Sequence, residues 1–95
     1  MARRRFIVAY DIRDPKRLRY VHKTAKQFGY SLQYSVFVCD LSEQELIRFR
    51  WAMGDVIHDD IDEVVIIDIG DARNESRIDF LGRHPRLPKQ GPTIV

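Results

Sequence analysis

Asp11 closes an apolar run, Phe6-Ile7-Val8-Ala9-Tyr10, and Arg13, Asp14, Lys16, Arg17 and Arg19 follow it within eight positions. A carboxylate in that place has two uses: it caps a turn, or it offers oxygens to a hard cation such as Mg2+ or Mn2+. The arginines also have two. Their planar forks match a phosphate with parallel hydrogen bonds, or they form a solvated helix face. Asp14 before Pro15 is well placed to start a helix, which leaves Asp11 without an evident structural task. Tyr10 points to the opposite face of the strand from Asp11 and reads as a core residue. Asp40 and Asp68 also stand at or near strand ends, where they read as solvent-facing alternation residues. His22, His58 and His84 are scattered, with the spacing of neither a metal site nor a base. The single Cys39 excludes an internal disulfide and a thiolate zinc cluster, fits a reducing compartment, and reads as a small buried residue.

The elements that must hold these residues follow from patterning. Phe6–Tyr10 is apolar on both faces, as a central strand requires. A helix follows from Asp14 to an exit at Gly29, with an apolar stripe of Leu18, Val21, Ala25 and Phe28. Residues 31–41 are rich in β-formers and give one long strand or two short ones broken around Gln33–Ser35. Ser42 and Glu45 have the spacing of a capping box. The helix they open carries Leu46, Phe49, Met53, Val56 and Ile57 inward. Ile47 and Trp51 fall outside that stripe, at the edge of the core or in a subunit contact. Val64–Ile69 is a third clear strand, ended by Gly70. Residues 71–76 read as a loop and Ile78–Leu81 as a short strand. Two helices and three or four strands in this order predict an α+β sandwich, with the ferredoxin-like βαββαβ arrangement leading. Residues 1–82 form that domain. Residues 83–95, with Pro85, Pro88, Gly91 and Pro92, form an extended arm whose Thr93-Ile94-Val95 end is expected to pair as a strand with the edge of a partner subunit.

Ninety-five residues make one small domain, for which a second subunit is a natural way to complete the core. The net charge is only +2, but it is unevenly distributed. Residues 1–39 carry nine Lys/Arg against two Asp, whereas residues 40–79 carry four Arg against twelve Asp/Glu. The basic first third either attracts a polyanion, most commonly nucleic acid, or pairs with the acidic half. No stretch is long enough to cross a membrane, and the five apolar residues after Arg3-Arg4-Arg5 are too few for a secretory signal, so a cytosolic location is expected.

Two segments carry more than pattern. "VAYDI" at the end of the first strand and "LQYSVFVCDL" after the first helix resemble the signatures of the small CRISPR-associated (Cas-two) adaptation endonuclease family, and the likeness runs in order along nearly the whole chain. The resemblance implies a ferredoxin-like homodimer that acts with the CRISPR integrase in acquiring new spacers, and a metal-dependent nuclease activity on RNA or DNA. Phosphodiester hydrolysis of that kind uses Mg2+ or Mn2+, for which Asp11 is the leading ligand and catalytic residue. One carboxylate per chain is sparse, and a dimer joining two copies of Asp11 across its two-fold axis supplies two. Arg13, Arg17 and Arg19 become candidate contacts to duplex DNA or single-stranded RNA. Ser35 is a candidate partner of phosphate or substrate, Phe37 is expected to pack at the dimer interface or to stack, and both serve equally well as plain sheet residues. Many relatives carry Glu after that Phe. Here the position is Val38, so a carboxylate that held metal there cannot do so in this chain. Two further readings stand beside the enzyme: a non-catalytic adaptor that holds DNA for the integrase, and a stand-alone ribonuclease similar to the VapD-type toxins.

Overall fold

The apolar run that opens the chain becomes an interior strand, β1, Arg4–Asp11. It is followed by α1, Pro15–Phe28; β2, Tyr30–Gln33; β3, Val36–Leu41; α2, Glu43–Val56; and β4, Glu63–Asp71. The computed structural model describes residues 2–74 and 78–83. The strands form one sheet in the order β2-β3-β1-β4 with antiparallel neighbours throughout, the ferredoxin-like arrangement. Residues 31–41 therefore resolve into two strands joined by a turn at Tyr34-Ser35.

Alternation along β1 assigns the two faces. Phe6, Val8 and Tyr10 are buried against the helices, with Val21 and Ala25 of α1, Phe49 and Met53 of α2, and Phe37, Cys39 and Leu41 of β3. Full burial of an aromatic such as Phe37 or Phe49 contributes about 2–3 kcal/mol each. Phe28 meets Phe49 edge to face, with centroids 5.1 Å apart, and joins the two helices. The other face carries Ile7 and Ala9 of β1, Val36 and Val38 of β3, and Val65 and Ile67 of β4, in register across the sheet. No helix among the described residues covers it, and Val65 and Ile67 are exposed.

Both helices start as their sequences dictate. The Asp14 carboxylate accepts from the Arg17 N–H at 2.9 Å. Ser42 and Glu45 form a reciprocal capping box, and Glu45 also holds the Arg3 guanidinium through two contacts of 2.9 Å. Gly29 ends α1 for a reason other than backbone freedom. Its φ of −165° is ordinary extended backbone. A Cβ at Gly29 would collide with the Val38 carbonyl oxygen and lie 2.5 Å from Cys39 Sγ, so close packing against β3 demands the glycine.

Several expectations are corrected. Gly70 does not end its strand. It sits inside β4 at φ 108°, where the ladder to β1 slips by one residue between Arg5 and Phe6. Asp40 is not solvent-facing, because it forms a nearly buried two-pronged pair with Arg5 at 2.7 and 2.8 Å. Ile47 and Trp51 are not core-edge residues, with 52% and 73% of their surface exposed. Ile78–Leu81 forms no strand. The strand expected at Thr93–Val95, and all of the arm beyond Arg83, lies outside the described residues. No helix among the described residues is long and apolar enough to cross a membrane.

Candidate functional site

β1 delivers Asp11 to one end of the sheet, on the face that the helices leave open. The strand parity that buries Tyr10 points Asp11 away from the core, and Asp11 is exposed. Its carboxylate makes no hydrogen bond or ion pair with a described residue, whereas Asp14 and Asp62 nearby are engaged. Asp14 caps α1. Asp62, its side chain fully buried, takes the Arg17 fork at 2.7 and 3.2 Å and the His58 backbone N–H at 2.8 Å. The Arg17 guanidinium, joined by the backbone bonds from His58 and Arg13, holds the Asp62 carboxyl down to about 2 against the opposing effect of burial. That cluster fixes the loop before β4, and with it the register that sets Glu63 directly opposite Asp11. Facing residues on one side of an antiparallel pair have Cβ atoms about 5 Å apart, so two exposed carboxylates converge at this corner.

The turn at Tyr34-Ser35 borders the same corner. The Tyr10 N–H donates to the Ser35 carbonyl at 3.1 Å, which lays half-buried Ser35 beside the end of β1. The Tyr10 hydroxyl donates to the Tyr34 carbonyl at 3.3 Å and lies 3.0 Å from His22 Nδ1. Burial, and then the nearby Tyr34 phenol, push the Tyr10 phenol up to about 12. It therefore stays protonated near neutrality and serves as a structural donor, not as a base.

The sequence candidates separate into groups. Asp11, Ser35 and the β1–α1 loop carrying exposed Arg13 come together. Arg19 is exposed one turn into α1. Arg17 is committed to Asp62, so its first task is to hold the loop. Phe37 has no exposed surface and packs on the helix side of the sheet against Tyr10 and His22, as a core sheet residue does. Glu63 and the His22–Tyr34 pair were not singled out by sequence reasoning. No spacing signals them, because strand register and a turn packing on a helix place them.

Whether the corner suits a hard cation depends on its donors. Mg2+ commonly keeps several waters and takes one or two protein carboxylates together with substrate phosphate oxygens. The Asp11 carboxylate, unpaired among the described residues, with Glu63 opposite, fits that pattern. Among the described residues, no group of three acidic, histidine or cysteine side chains could enclose an ion within one chain.

Comparison with known proteins agrees with this fold. Residues 4–77 match the family model described as CRISPR associated protein Cas2. The chain is 37% identical over 79 residues to the CRISPR-associated endoribonuclease Cas2 of Geobacter sulfurreducens, covering 82% of this chain and 83% of that one. A hypothetical protein from Thermus thermophilus superposes with a TM-score of 0.78 at 28% identity, over 88% of this chain and 96% of its own. The Streptococcus pyogenes Cas2 structure gives 0.72, also at 28% identity, over 82% and 99%. Matched over most of its length by the family model and by the Geobacter relative, and sharing its fold with a solved member, the chain belongs to the Cas2 family of CRISPR-associated proteins.

Proposed function

We propose that this chain is a metal-dependent endonuclease of the CRISPR adaptation stage, acting in the cytosol as a homodimer, with Asp11 of each copy as the cation ligand. The observation that carries the reading is the Asp11 carboxylate, unpaired among the described residues, at the rim of a sheet face on which Val65 and Ile67 are exposed. A second copy laid face to face on the exposed Val65 and Ile67 and the half-buried Ile7 removes that apolar surface from water. Two-fold symmetry then sets one Asp11 across from the other. RNA is the first substrate to test, because the Geobacter relative is named an endoribonuclease.

When bound, Mg2+ or Mn2+ activates a water and offsets charge on the leaving oxygen. The chain's own residues do the rest. Asp11, opposite Glu63, supplies the anionic oxygens. Arg13 and Arg19 offset phosphate charge along the path to the corner, and the Ser35 hydroxyl offers a hydrogen bond to a phosphate oxygen. Tyr10, neutral and doubly engaged, locks the end of β1 to the Tyr34-Ser35 turn and so holds Asp11 in place.

A second reading is an adaptor that holds DNA for the CRISPR integrase without cutting. The exposed basic row of α1, Lys16, Arg19, Lys23 and Lys26, favours it, since none of the four forms an ion pair among the described residues. Labelled RNA and duplex DNA incubated with the dimer test both. The enzyme reading expects cleavage that stops on chelation and returns with Mg2+ or Mn2+. Tight, salt-sensitive binding of duplex DNA without cleavage in any metal supports the adaptor.

A further inference from the structure

Tyr34 is 66% exposed, yet its ring is not loose. It stacks on His22 with centroids 5.4 Å apart and planes at 20°. His22 is braced from below by the edge of Phe37, at 5.4 Å and 75°, and tied at Nδ1 to the Tyr10 hydroxyl at 3.0 Å. That hydroxyl also holds the Tyr34 carbonyl, so turn, ring and helix are fixed together. Exposed Arg19 and Lys26 flank His22 on its own face of α1, one turn before it and one turn after it, and exposed Lys23 lies about 100° farther round the helix. None of the three pairs with an acid among the described residues. A rigid exposed ring beside cations that pair with no described acid is the combination that binds single-stranded nucleic acid: bases stack on the ring while cations track the phosphates.

We propose that the Tyr34–His22 pair is a stacking platform for one unpaired nucleobase, with Arg19 and Lys26 carrying its flanking phosphates. The inference rests on the nucleic-acid reading above and adds strandedness to it. A base inside a duplex has both faces covered, so only an unpaired or terminal base can use the ring. The platform lies on the helix side of the sheet and Asp11 on the open side, one strand end apart. A single strand wrapping that end places its base on Tyr34 and the neighbouring phosphodiester at the Asp11 corner.

The test uses the full-length protein and single-stranded RNA and DNA probes carrying 2-aminopurine, whose emission is quenched on stacking, with the same sequences as duplexes for comparison. Binding of either single strand should quench the probe. Tyr34→Phe should keep the quenching. Tyr34→Ala should abolish it and weaken single-strand binding by about 5- to 150-fold, the range for losing one stacked base. Duplex affinity should stay within about two-fold, because phosphate contacts alone do not need the ring. Tyr34 is exposed, so an unchanged melting temperature verifies that the alanine variant is folded. If Tyr34→Ala binds and quenches like the parent, the platform is overturned while nucleic-acid binding stands. If the parent binds no nucleic acid at all, both readings fall.

Discussion

Gly29 and Gly54 can each be changed to alanine, and the geometry predicts opposite signs for the same chemical change. At Gly54, in the last turn of α2, an added Cβ meets nothing within 4 Å. Alanine there gains helix propensity and loses unfolded-chain entropy, a stabilisation of about 0.5–1 kcal/mol. In a domain of this size that raises the Tm by roughly 4–8 °C at the upper value. At Gly29 the added Cβ strikes the Val38 carbonyl and sits 2.5 Å from Cys39 Sγ. Val38 is bonded into the ladder between β1 and β2, and Cys39 has no exposed surface, so neither can move aside without disturbing the core. Overpacking of this kind costs about 1–3 kcal/mol. The extended φ of Gly29 adds no conformational penalty, so the loss is purely steric. Cys39→Ala removes the sulfur but not the carbonyl and should rescue Gly29→Ala only in part. Urea midpoints at one protomer concentration make the comparison clean, because the proposed dimer couples stability to concentration. A Gly29→Ala variant as stable as its parent, or a destabilised Gly54→Ala, would refute the packing argument.

The remaining predictions concern charges. Removing Asp40 leaves the nearly buried Arg5 guanidinium without its two-pronged carboxylate. Asp40→Ala should therefore cost about 3 kcal/mol and lower the Tm by about 15 °C, while Arg5→Leu with Asp40→Leu should recover most of it. Arg17→Ala should lower the Tm by several degrees, since it strands the buried Asp62 carboxylate, whereas Arg13→Ala and Arg19→Ala should melt like the parent and bind nucleic acid with a shallower salt dependence. Glu45 and Asp62 are both held down to about 2, chiefly by hydrogen bonds from Arg3 and Arg17 respectively. A depressed carboxyl contributes stability that is complete above its unfolded value and lost as pH falls through its folded value. The urea midpoint should thus decline between about pH 5 and pH 2, and Glu45→Gln should flatten that decline.

Most of the scaffold was legible in sequence because its signals are local. Asp14-Pro15 and the Ser42–Glu45 spacing are complete within one helical turn, and apolar stripes need only the helical period. The candidate site was half legible. Asp11 could be isolated because Asp14, three residues away, already filled the capping role. Glu63 could not be found, since its partnership with Asp11 depends on strand register, which is settled by contacts across the whole sheet. The arginines differ for the same reason: nothing near Arg17 in sequence reveals that Asp62, 45 residues on, claims it. Gly70 and Gly29 mislead in complementary ways. Gly70 has the pattern of a strand end but serves a bulge at positive φ, whereas Gly29 has the pattern of a turn glycine but serves a tight contact.

Asp11→Asn tests the central claim most directly, because it removes the charge of the carboxylate while keeping its size at an exposed position. Cleavage of labelled RNA in Mg2+, measured beside sedimentation and thermal melting of the same sample, gives the answer. The account predicts that cleavage is lost, because the cation is no longer held, while the dimer and the Tm remain those of the parent. Cleavage that persists at the parental rate in a metal-dependent manner would show that Asp11 does not hold the ion, and would contradict the assignment of this corner as the active site.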